Sequence, residues 1–292
     1  MKIVIAGGTG FIGTCLKKRF EAQGDLVFIV SRQPQYASWN LDELIGVLEN
    51  SDVLINLAGR NINCRYTEKN KQQILDSRLN TTKRLQEVVD KCKNSPRLWV
   101  NASASAIYAS CDNPATEFSE NFANDFLGQV VKRWENLFFA GEMTRTRRIA
   151  LRTAVVLGRD GGALTPLFTL TRAGLGGKTG SGEQMFSWIH IEDYFRVIQY
   201  CIENEQLHGV INCTSPEPVT NKEFMKSLRN TIGIPFGLPA PEFLVRLGAR
   251  LIGTEPDLIL NSSNFVPEVL LKSGFEFKYP RIDMAFRDLL KK

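Results

Sequence analysis

The sequence lacks the residue clusters from which metal sites and disulfide scaffolds are built. Among its 292 residues there are only two histidines, His190 and His208, and none of the six cysteines forms a Cys-x-x-Cys pair or lies beside a histidine at metal-ligand spacing. We therefore expect no metal site. We interpret the cysteines as reduced thiols of a cytoplasmic protein; they are Cys15, Cys64, Cys92, Cys111, Cys201 and Cys213.

Long apolar runs and blocks of like charge are also absent. No segment approaches the roughly 18 apolar residues that a membrane helix needs, and the first apolar run, 3–6, is too short for a signal peptide. The net charge of +5 is mild, and the densest basic cluster, at 145–148, suits a solvated surface. The composition therefore predicts a globular protein that binds neither membranes nor nucleic acids.

Short apolar runs alternate with helical patterns through the first half of the chain. The apolar runs predict strands, at 2–6, 26–30, 52–57, 97–102 and 149–156. Apolar residues at helical spacing between them predict helices, at 11–22, 41–49, 67–93 and 120–140. Such alternation, with right-handed crossovers, predicts an α/β fold: a Rossmann doubly wound parallel sheet with helices on both faces.

Beyond residue 158 the alternation loosens and glycines become frequent. We predict a helix near Glu192, a strand at 209–213, a helix after Asn221 and a mostly helical segment from 238 onward. We divide the chain into a Rossmann domain, 1–160, and a smaller, mostly helical substrate lobe, 161–292. The glycine-rich stretch 174–182 has the composition of a mobile flap over a substrate.

A glycine-rich turn joins the first predicted strand to the first predicted helix. Gly7, Gly10 and Gly13 have the spacing G-x-x-G-x-x-G. The first permits a tight turn, the second lets the backbone approach a pyrophosphate, and the third allows close packing, while the helix N-terminus supplies free N–H donors. The alternative is a plain strand-to-helix turn, which needs only one glycine. The predicted dinucleotide site comprises Gly7, Gly8, Thr9, Gly10, Phe11, Ile12 and Gly13.

The residues after the second strand indicate which dinucleotide binds. An NAD site places an acid there to bind the ribose 2′-OH, but no Asp or Glu follows Val30 until Asp42. Ser31 and Arg32 supply a hydroxyl and a guanidinium instead, which suit a 2′-phosphate. We therefore predict NADP(H) as the cofactor; the alternative is that Arg32 is an ordinary surface residue in a loop.

Two small residues, Ala58 and Gly59, lie at the end of the third predicted strand. Leu57, Ala58 and Gly59 follow directly on its apolar run. Such residues let a cofactor lie against the backbone at the carboxyl end of a strand. A turn glycine without a ligand is an equally simple interpretation of Gly59.

Motifs along essentially the full length together resemble the extended short-chain dehydrogenase/reductase superfamily. Besides the glycine turn they include 56–59, 103–105 and 187–193. More narrowly, the chain is similar to the atypical, epimerase-like branch of that superfamily. The further matching motifs are Asp76-Ser77-Arg78, Trp134-Glu135, Leu151-Arg152-Thr153, Val155-Val156-Leu157-Gly158, Asp160-Gly161-Gly162-Ala163, Gly174-Leu175-Gly176-Gly177 and Gly180-Ser181-Gly182.

The resemblance implies an NADP(H) site and a family-specific C-terminal helical module, from about 243 to 292. Arg78 is interpreted as a cation on a helix that faces the cofactor phosphates or ribose, and the alternative is a solvated helix charge. Carried over position by position, the implied cofactor residues outside the glycine turn are Ser31, Arg32, Leu57, Ala58, Arg78 and Val156.

The superfamily's proton-transfer pair is missing. Its chemistry uses a serine with a Tyr-x-x-x-Lys pair on one helix face, in which the lysine lowers the tyrosine pKa. No tyrosine here has a lysine four residues on, and Phe126 and Val130 occupy the two positions. Lys132 is displaced by two positions, so on a helix it points about 200° away. Ordinary dehydrogenase chemistry is therefore in doubt.

Two residues are candidate catalysts in place of that pair. Ser105 matches the superfamily serine, and Tyr108 lies just past the same strand end. The alternatives are a hydrogen-bonded turn serine and a packing aromatic with a satisfied hydroxyl. For His190 and Asp193, which border the substrate pocket in extended members, we favour structural roles: His190 pairing with backbone, and Asp193 capping the following helix.

Three functional hypotheses follow. The first is an NADP(H)-dependent oxidoreductase or epimerase that acts on a small molecule held between the two lobes. The second is a regulatory or sensor protein that binds NADP(H) without turnover, which the missing pair favours. A third, inhibition of cell division, rests only on a label carried by bacterial members. The protein is expected to be a monomer or a homodimer, with 67–93 and 120–140 as pairing helices by fold analogy.

Overall fold

The computed structural model describes residues 1–110 and 113–290, and its centre is a six-stranded parallel sheet. The strand order across this sheet is β2-β1-β3-β4-β5-β10, so the order reverses between β1 and β3. These strands are β1 (Lys2–Ala6), β2 (Leu26–Val30), β3 (Val53–Asn56), β4 (Leu98–Ala104), β5 (Arg147–Thr153) and β10 (Gly209–Cys213). The predicted doubly wound Rossmann fold is confirmed, and the reversal is where such folds bind ligands.

Helices cover both faces of the sheet, and side-chain caps start most of those in the first half. The caps are Asn40 for α2, Thr67 for α3 and Asp125 for α4. The helices are α1 (Phe11–Ala22), α2 (Leu41–Leu48), α3 (Glu68–Lys91), α4 (Phe126–Phe139), α5 (Leu164–Arg172), α6 (Ile191–Glu203), α7 (Asn221–Thr231), α8 (Glu242–Ile252), α9 (Asp257–Leu260), α10 (Glu268–Lys272) and α11 (Ile282–Leu290).

Two predicted elements differ from the structure. The run 149–156 is not one strand, because Ala154 donates its N–H to Cys213 O while Val155 turns away to Ser187 O. The chain thus leaves the main sheet and forms a three-stranded sheet from β6 (Val155–Gly158), β7 (Gly161–Gly162) and β9 (Trp188–His190). The apolar pattern hid the break because both strands are largely buried. The helix predicted at 120–140 begins only at α4, where Asp125 caps Gly128 N.

The chain beyond residue 160 returns to the Rossmann sheet. β10 pairs with β5 as the edge strand, and the two-stranded ribbon of β8 (Met185–Phe186) and β11 (Val219–Thr220) lies outside it. α11 packs against α7. The domain boundary near residue 160 stays a prediction, because the chain beyond it contributes strand β10 to the sheet formed by residues before it. Within the described residues five cysteines are free thiols, and Cys111 lies outside those residues.

Candidate functional site

The glycine turn after β1 has two glycines, Gly7 and Gly13, that the fold needs because a side chain would meet backbone, and one, Gly10, that it does not need. Gly7 has φ 74°, and a Cβ there would lie 2.7 Å from the Ala58 backbone. A Cβ at Gly13 would lie 2.5 Å from Gly8 Cα, and Gly8 itself packs against Ile29. At Gly10, by contrast, a Cβ would meet only Gly7 O, at 3.9 Å. The space beside Gly10 is therefore open to a ligand.

The first turn of α1 has the features of an anion site. Gly10 is its N-cap and supplies no side-chain hydrogen bond, and no acidic residue lies in the first turn. The N–H groups at the start of a helix then remain free to donate, and the helix dipole favours negative charge there. A pyrophosphate fits this turn by charge, by donors and by space.

The Phe11 ring connects this turn to β6 and β7. A Cβ at Gly161 would lie 2.7 Å from the Phe11 ring, and Gly158 and Gly162 approach the same ring. A Cβ at Gly162 would also lie 2.9 Å from Val156 O. The glycines of this hairpin therefore form a platform for Phe11, which brings Val156 to the glycine turn.

The tip of β2 carries Ser31 and Arg32 in different environments. Ser31 is buried, and its hydroxyl accepts the Gln33 N–H at 3.2 Å. Arg32 is exposed and makes no hydrogen bond or ion pair with another described residue. A free guanidinium with no acid at the strand end fits the 2′-phosphate of NADP(H) better than a bare ribose.

Arg78 on α3 lies beside Gly59, at the carboxyl end of β3. A Cβ at Gly59 would lie 3.4 Å from the guanidinium carbon, which sits 5.3 Å from the centre of the Trp134 ring. Its Nη1 donates to Ile74 O and Arg60 O, and no described carboxylate pairs with it. Desolvation lowers the Arg78 pKa to about 10. An anionic ligand beside the guanidinium would offset the cost of burying its charge, which is consistent with the prediction that Arg78 faces the cofactor phosphates or ribose.

The two kinds of glycine predict opposite effects of the same substitution. Gly13→Val should unfold the protein, because its side chain would overlap the Gly8 backbone. Gly10→Val should leave the melting temperature within a few degrees but weaken NADPH binding at least tenfold, because it fills the open space. Calorimetric titration and thermal unfolding of both variants test this. Full NADPH affinity in Gly10→Val would contradict the assigned phosphate position.

A cleft of about 880 Å³ lies at the carboxyl ends of β4 and β5 and is covered by the segment after α8. Ser105 and Tyr108 both line it, so the structure brings the two candidate catalysts together. Ser105 begins a 3-10 turn, Ser105–Ile107, and its hydroxyl accepts a long hydrogen bond from Ser263, at 3.4 Å. Ser105 is therefore lightly held, and its hydroxyl can turn to a ligand.

Tyr108 is held by a buried polar network. Its hydroxyl donates to Asn212 Oδ1 and accepts from Arg152 Nη1, both at 2.8 Å. Arg152 also makes two hydrogen bonds, of 2.9 and 2.7 Å, to the Glu135 carboxylate, which accepts the Ser103 hydroxyl. Burial raises the pKa of Tyr108 despite the nearby Arg152. Burial alone would lower the pKa of Arg152, but Glu135 and Tyr108 outweigh it and raise that pKa.

The positions of the superfamily's proton-transfer pair hold apolar side chains. Phe126 lines the cleft, and Val130 is buried elsewhere on α4. Lys132 is exposed and does not line the cleft. The described residues therefore offer no lysine to a phenol in the cleft.

His190 and Asp193 have structural roles. His190 Nδ1 accepts the Glu192 N–H and caps α6, and burial lowers the His190 pKa to about 4. Asp193 is not the cap we expected. Its carboxylate accepts the backbone N–H groups of Lys278 and Tyr279, at 2.8 Å each, and so ties the C-terminal segment to α6.

The glycine-rich stretch 174–182 does not border the cleft. Its backbone pairs with the segment before α8, through hydrogen bonds such as Gly180 N to Ala240 O and Leu238 N to Gly174 O. None of its residues lines the cleft. The structure therefore gives no support to the interpretation of this stretch as a flap over the substrate.

Membrane and metal features are absent from the part of the chain that is described. No helix within 1–110 or 113–290 combines the length and apolar character needed to cross a bilayer. In the same ranges no three His, Cys, Asp or Glu side chains cluster closely enough to hold a metal ion.

Relatives of known name match this chain over nearly its whole length. Epimerase family protein SDR39U1 of Mus musculus is 35% identical and epimerase family protein YfhF of Bacillus subtilis 36%, each over 99% of this chain and at least 98% of the relative. The chain belongs to the epimerase family. The NAD dependent epimerase/dehydratase family matches residues 3–126. A domain of unknown function, DUF1731, matches 240–289, where the C-terminal module is predicted.

A solved member of the epimerase family shares this fold. Human SDR39U1 (isoform 2), whose crystal structure was solved with NADPH, superposes with a TM-score of 0.90 at 33% identity, and covers 99% of both chains. UDP-glucose 4-epimerase from Thermotoga maritima, solved with UDP-glucose, has a TM-score of 0.78 at 15% identity, which concerns the fold alone. The predicted resemblance to the epimerase-like branch is confirmed.

Sequence reasoning missed three parts of the site in this epimerase-family chain. The first is the buried ion pair of Glu135 with Arg152, whose signal in the sequence is a charged residue within each of two apolar segments. Tyr66 and Ile62 line the cleft from the loop before α3. Residues 257–265 cover it, and their composition carries no signal of that position.

Proposed function

We propose that this epimerase-family chain is a cytoplasmic, NADPH-dependent oxidoreductase or epimerase that acts on a small molecule in the cleft. The observation that carries the proposal is that the candidate cofactor residues and the cleft both lie at the carboxyl ends of the parallel strands. Gly10 follows β1, Gly59 follows β3 beside Arg78, and the cleft is lined by residues at the ends of β4 and β5. NADPH binding to a 33% identical relative of the same fold supports the assignment of the cofactor.

Different residues of the chain would bind different parts of NADPH. The backbone donors of the first turn of α1 would hold the pyrophosphate, Arg32 the 2′-phosphate, and Arg78 the phosphates or the adjoining ribose. NADPH, when bound, supplies a hydride from C4 of its nicotinamide. Ser105, with a hydroxyl free to turn, would donate a hydrogen bond to the substrate oxygen. The Tyr108 hydroxyl, fixed by Arg152 and Asn212, would hold the strand end in place.

Removing the Ser105 hydroxyl should separate binding from turnover. We expect Ser105→Ala to lower NADPH consumption with a carbonyl substrate at least tenfold, because a donor to the reacting oxygen is lost, and to leave NADPH affinity unchanged. Ser110→Ala, at the exposed rim of the same cleft, is the matched control. Absorbance of NADPH over a carbonyl panel measures the rate. Unaltered turnover in Ser105→Ala would remove this residue from the mechanism.

The absence of a Tyr-x-x-x-Lys pair favours a second function, an NADPH-binding sensor without turnover. Tyr108 cannot release its proton without losing the bond to Asn212, and Phe126 has none to give. The same panel separates the two functions. NADPH that binds tightly but is not consumed with any carbonyl compound supports the sensor, whereas consumption that depends on Ser105 supports the enzyme.

A further inference from the structure

The cleft has an unusual charge for a fold that also holds nucleotide sugars. Its described lining residues include no lysine, arginine or histidine, and the carboxylates among them are Asp125 and Asp257. A diphosphate in this cleft would therefore meet two exposed carboxylates, one of them paired with Arg246 at 3.4 Å, and no cation among the lining residues. Repulsion from the carboxylates, with no lining cation to offset it, disfavours an anion in the cleft.

One part of the cleft lining, the apolar wall, consists of aromatic and aliphatic side chains. Tyr66 packs edge-on against Phe126 with ring centres 5.3 Å apart, and Ile62, Leu258 and Leu260 extend this wall. Phe126 stands where the superfamily places a tyrosine, so the substitution removes a hydroxyl from this wall. Polar side chains line the cleft as well, among them Ser105 and those of the segment 261–264.

Two of the arginines near the cleft already have partners. Arg65 and Arg246 line a separate hollow of about 330 Å³, next to Asp257. Arg65 donates to the Arg250 carbonyl oxygen, and Arg246 pairs with Glu242, at 2.7 Å, and with Asp257, at 3.4 Å. Neither of these two arginines is among the residues that line the cleft itself.

We propose that the cleft takes an uncharged, mainly apolar carbonyl compound or alcohol, and that it excludes nucleotide sugars and carboxylates. The inference rests on the proposed function for its reaction and on the lining residues for its substrate class. The apolar part of the ligand lies against Tyr66, Phe126 and Leu258, and its oxygen lies toward Ser105. The volume of the cleft is in the range of small-molecule sites, which hold roughly 300–1,000 Å³.

Matched ligands of one shape and different charge test the proposal. The full chain, saturated with NADP⁺ so that no reduction occurs, is titrated with 4-methylbenzaldehyde, 2-naphthaldehyde and cyclohexyl methyl ketone, with a carboxylate-bearing analogue of each, and with UDP-glucose. We expect at least one neutral compound to bind tenfold or more tightly than its carboxylate analogue, and UDP-glucose not to bind. Saturable binding of UDP-glucose, or saturable binding of none of the neutral compounds, overturns the proposal.

A charge placed in the wall should reverse the preference. Leu258→Lys adds a cation at a lining residue that is 36% exposed, so the fold should tolerate it. We expect this variant to bind the carboxylate analogue at least tenfold more tightly, relative to its neutral partner, than the unmodified chain does. Leu271→Lys, at an exposed leucine on α10 away from the cleft, is the control. An unchanged ratio in Leu258→Lys contradicts the placement of the ligand against this wall.

A separate titration with NADPH alone keeps the two proposals distinguishable. If NADPH does not bind, the proposed function fails. If it binds and the neutral compounds do not, only the substrate class fails.

Discussion

Replacing Arg32 with alanine should abolish a preference for NADPH over NADH that we expect to be at least tenfold. The guanidinium is exposed and has no partner among the described residues, so all of its hydrogen-bonding capacity is open to a 2′-phosphate. A hydrogen bond to a charged group contributes about 1.5–3 kcal/mol, which corresponds to roughly tenfold to hundredfold in affinity. NADH, which lacks the phosphate, should bind Arg32→Ala and the unmodified chain equally.

Calorimetric titration with both nucleotides measures this preference. Arg97→Ala, an exposed arginine that pairs with Asp52 at the opposite edge of the sheet, is the control and should bind NADPH normally. Equal affinity of the unmodified chain for NADPH and NADH would refute the cofactor assignment. Weaker binding of both nucleotides to Arg32→Ala would place the guanidinium on the pyrophosphate or the adenine instead.

Replacing Arg152 with methionine should destabilise the fold by about 3–5 kcal/mol, because it leaves the buried Glu135 carboxylate without its cationic partner. Both side chains are almost fully buried, and their two hydrogen bonds are 2.9 and 2.7 Å long. The same substitution removes one partner of the Tyr108 hydroxyl, so the strand end beside Ser105 should loosen as well.

Urea unfolding at neutral pH measures the loss. The double variant Arg152→Met with Glu135→Leu should recover most of it, since replacing both charges by apolar groups removes the desolvation cost along with the attraction. Arg287→Met breaks an exposed pair with Asp283 and should cost less than about 1 kcal/mol. A loss in Arg152→Met no larger than that of Arg287→Met would show that water reaches Glu135, against its burial in the structure.

The first half of the fold was predictable because its signals are local. Adjacent residues specify the strand Lys2–Ala6, the turn that runs to Gly13 and the helix that contains it. Each strand also pairs with a neighbour of similar apolar character. Prediction failed where burial continues across a change of sheet. The run through Ala154 keeps its apolar pattern although the backbone passes from one sheet to another, and a hydrophobic pattern reports burial rather than hydrogen-bond partners.

The candidate site was predictable to different degrees on its two sides. The predicted cofactor residues lie at strand ends and helix starts, and general rules for doubly wound sheets locate ligands there. On the substrate side, Ser105 and Tyr108 were predictable from a motif. The rest of the cleft lining comes from a loop before α3, the start of α4 and the segment after α8, none of which carries a motif for its position. Asp193 shows the same dependence on distant contacts. A structural role is predictable from its place next to a helix start, but its two partners, Lys278 and Tyr279, lie 85 and 86 residues away along the chain.

By itself the sequence determined the Rossmann fold, the glycine turn, the cation at the tip of the second strand and the loss of the Tyr-x-x-x-Lys pair, because each depends on residues within a few positions of one another. Only the tertiary structure decided what surrounds the substrate. The hydrogen bond from Tyr108 to Asn212 spans 104 residues, and that between Ser263 and Ser105 spans 158. Contacts between residues so far apart in the sequence depend on how helices, strands and loops pack against one another. The local hydrophobic pattern of the sequence does not specify that packing.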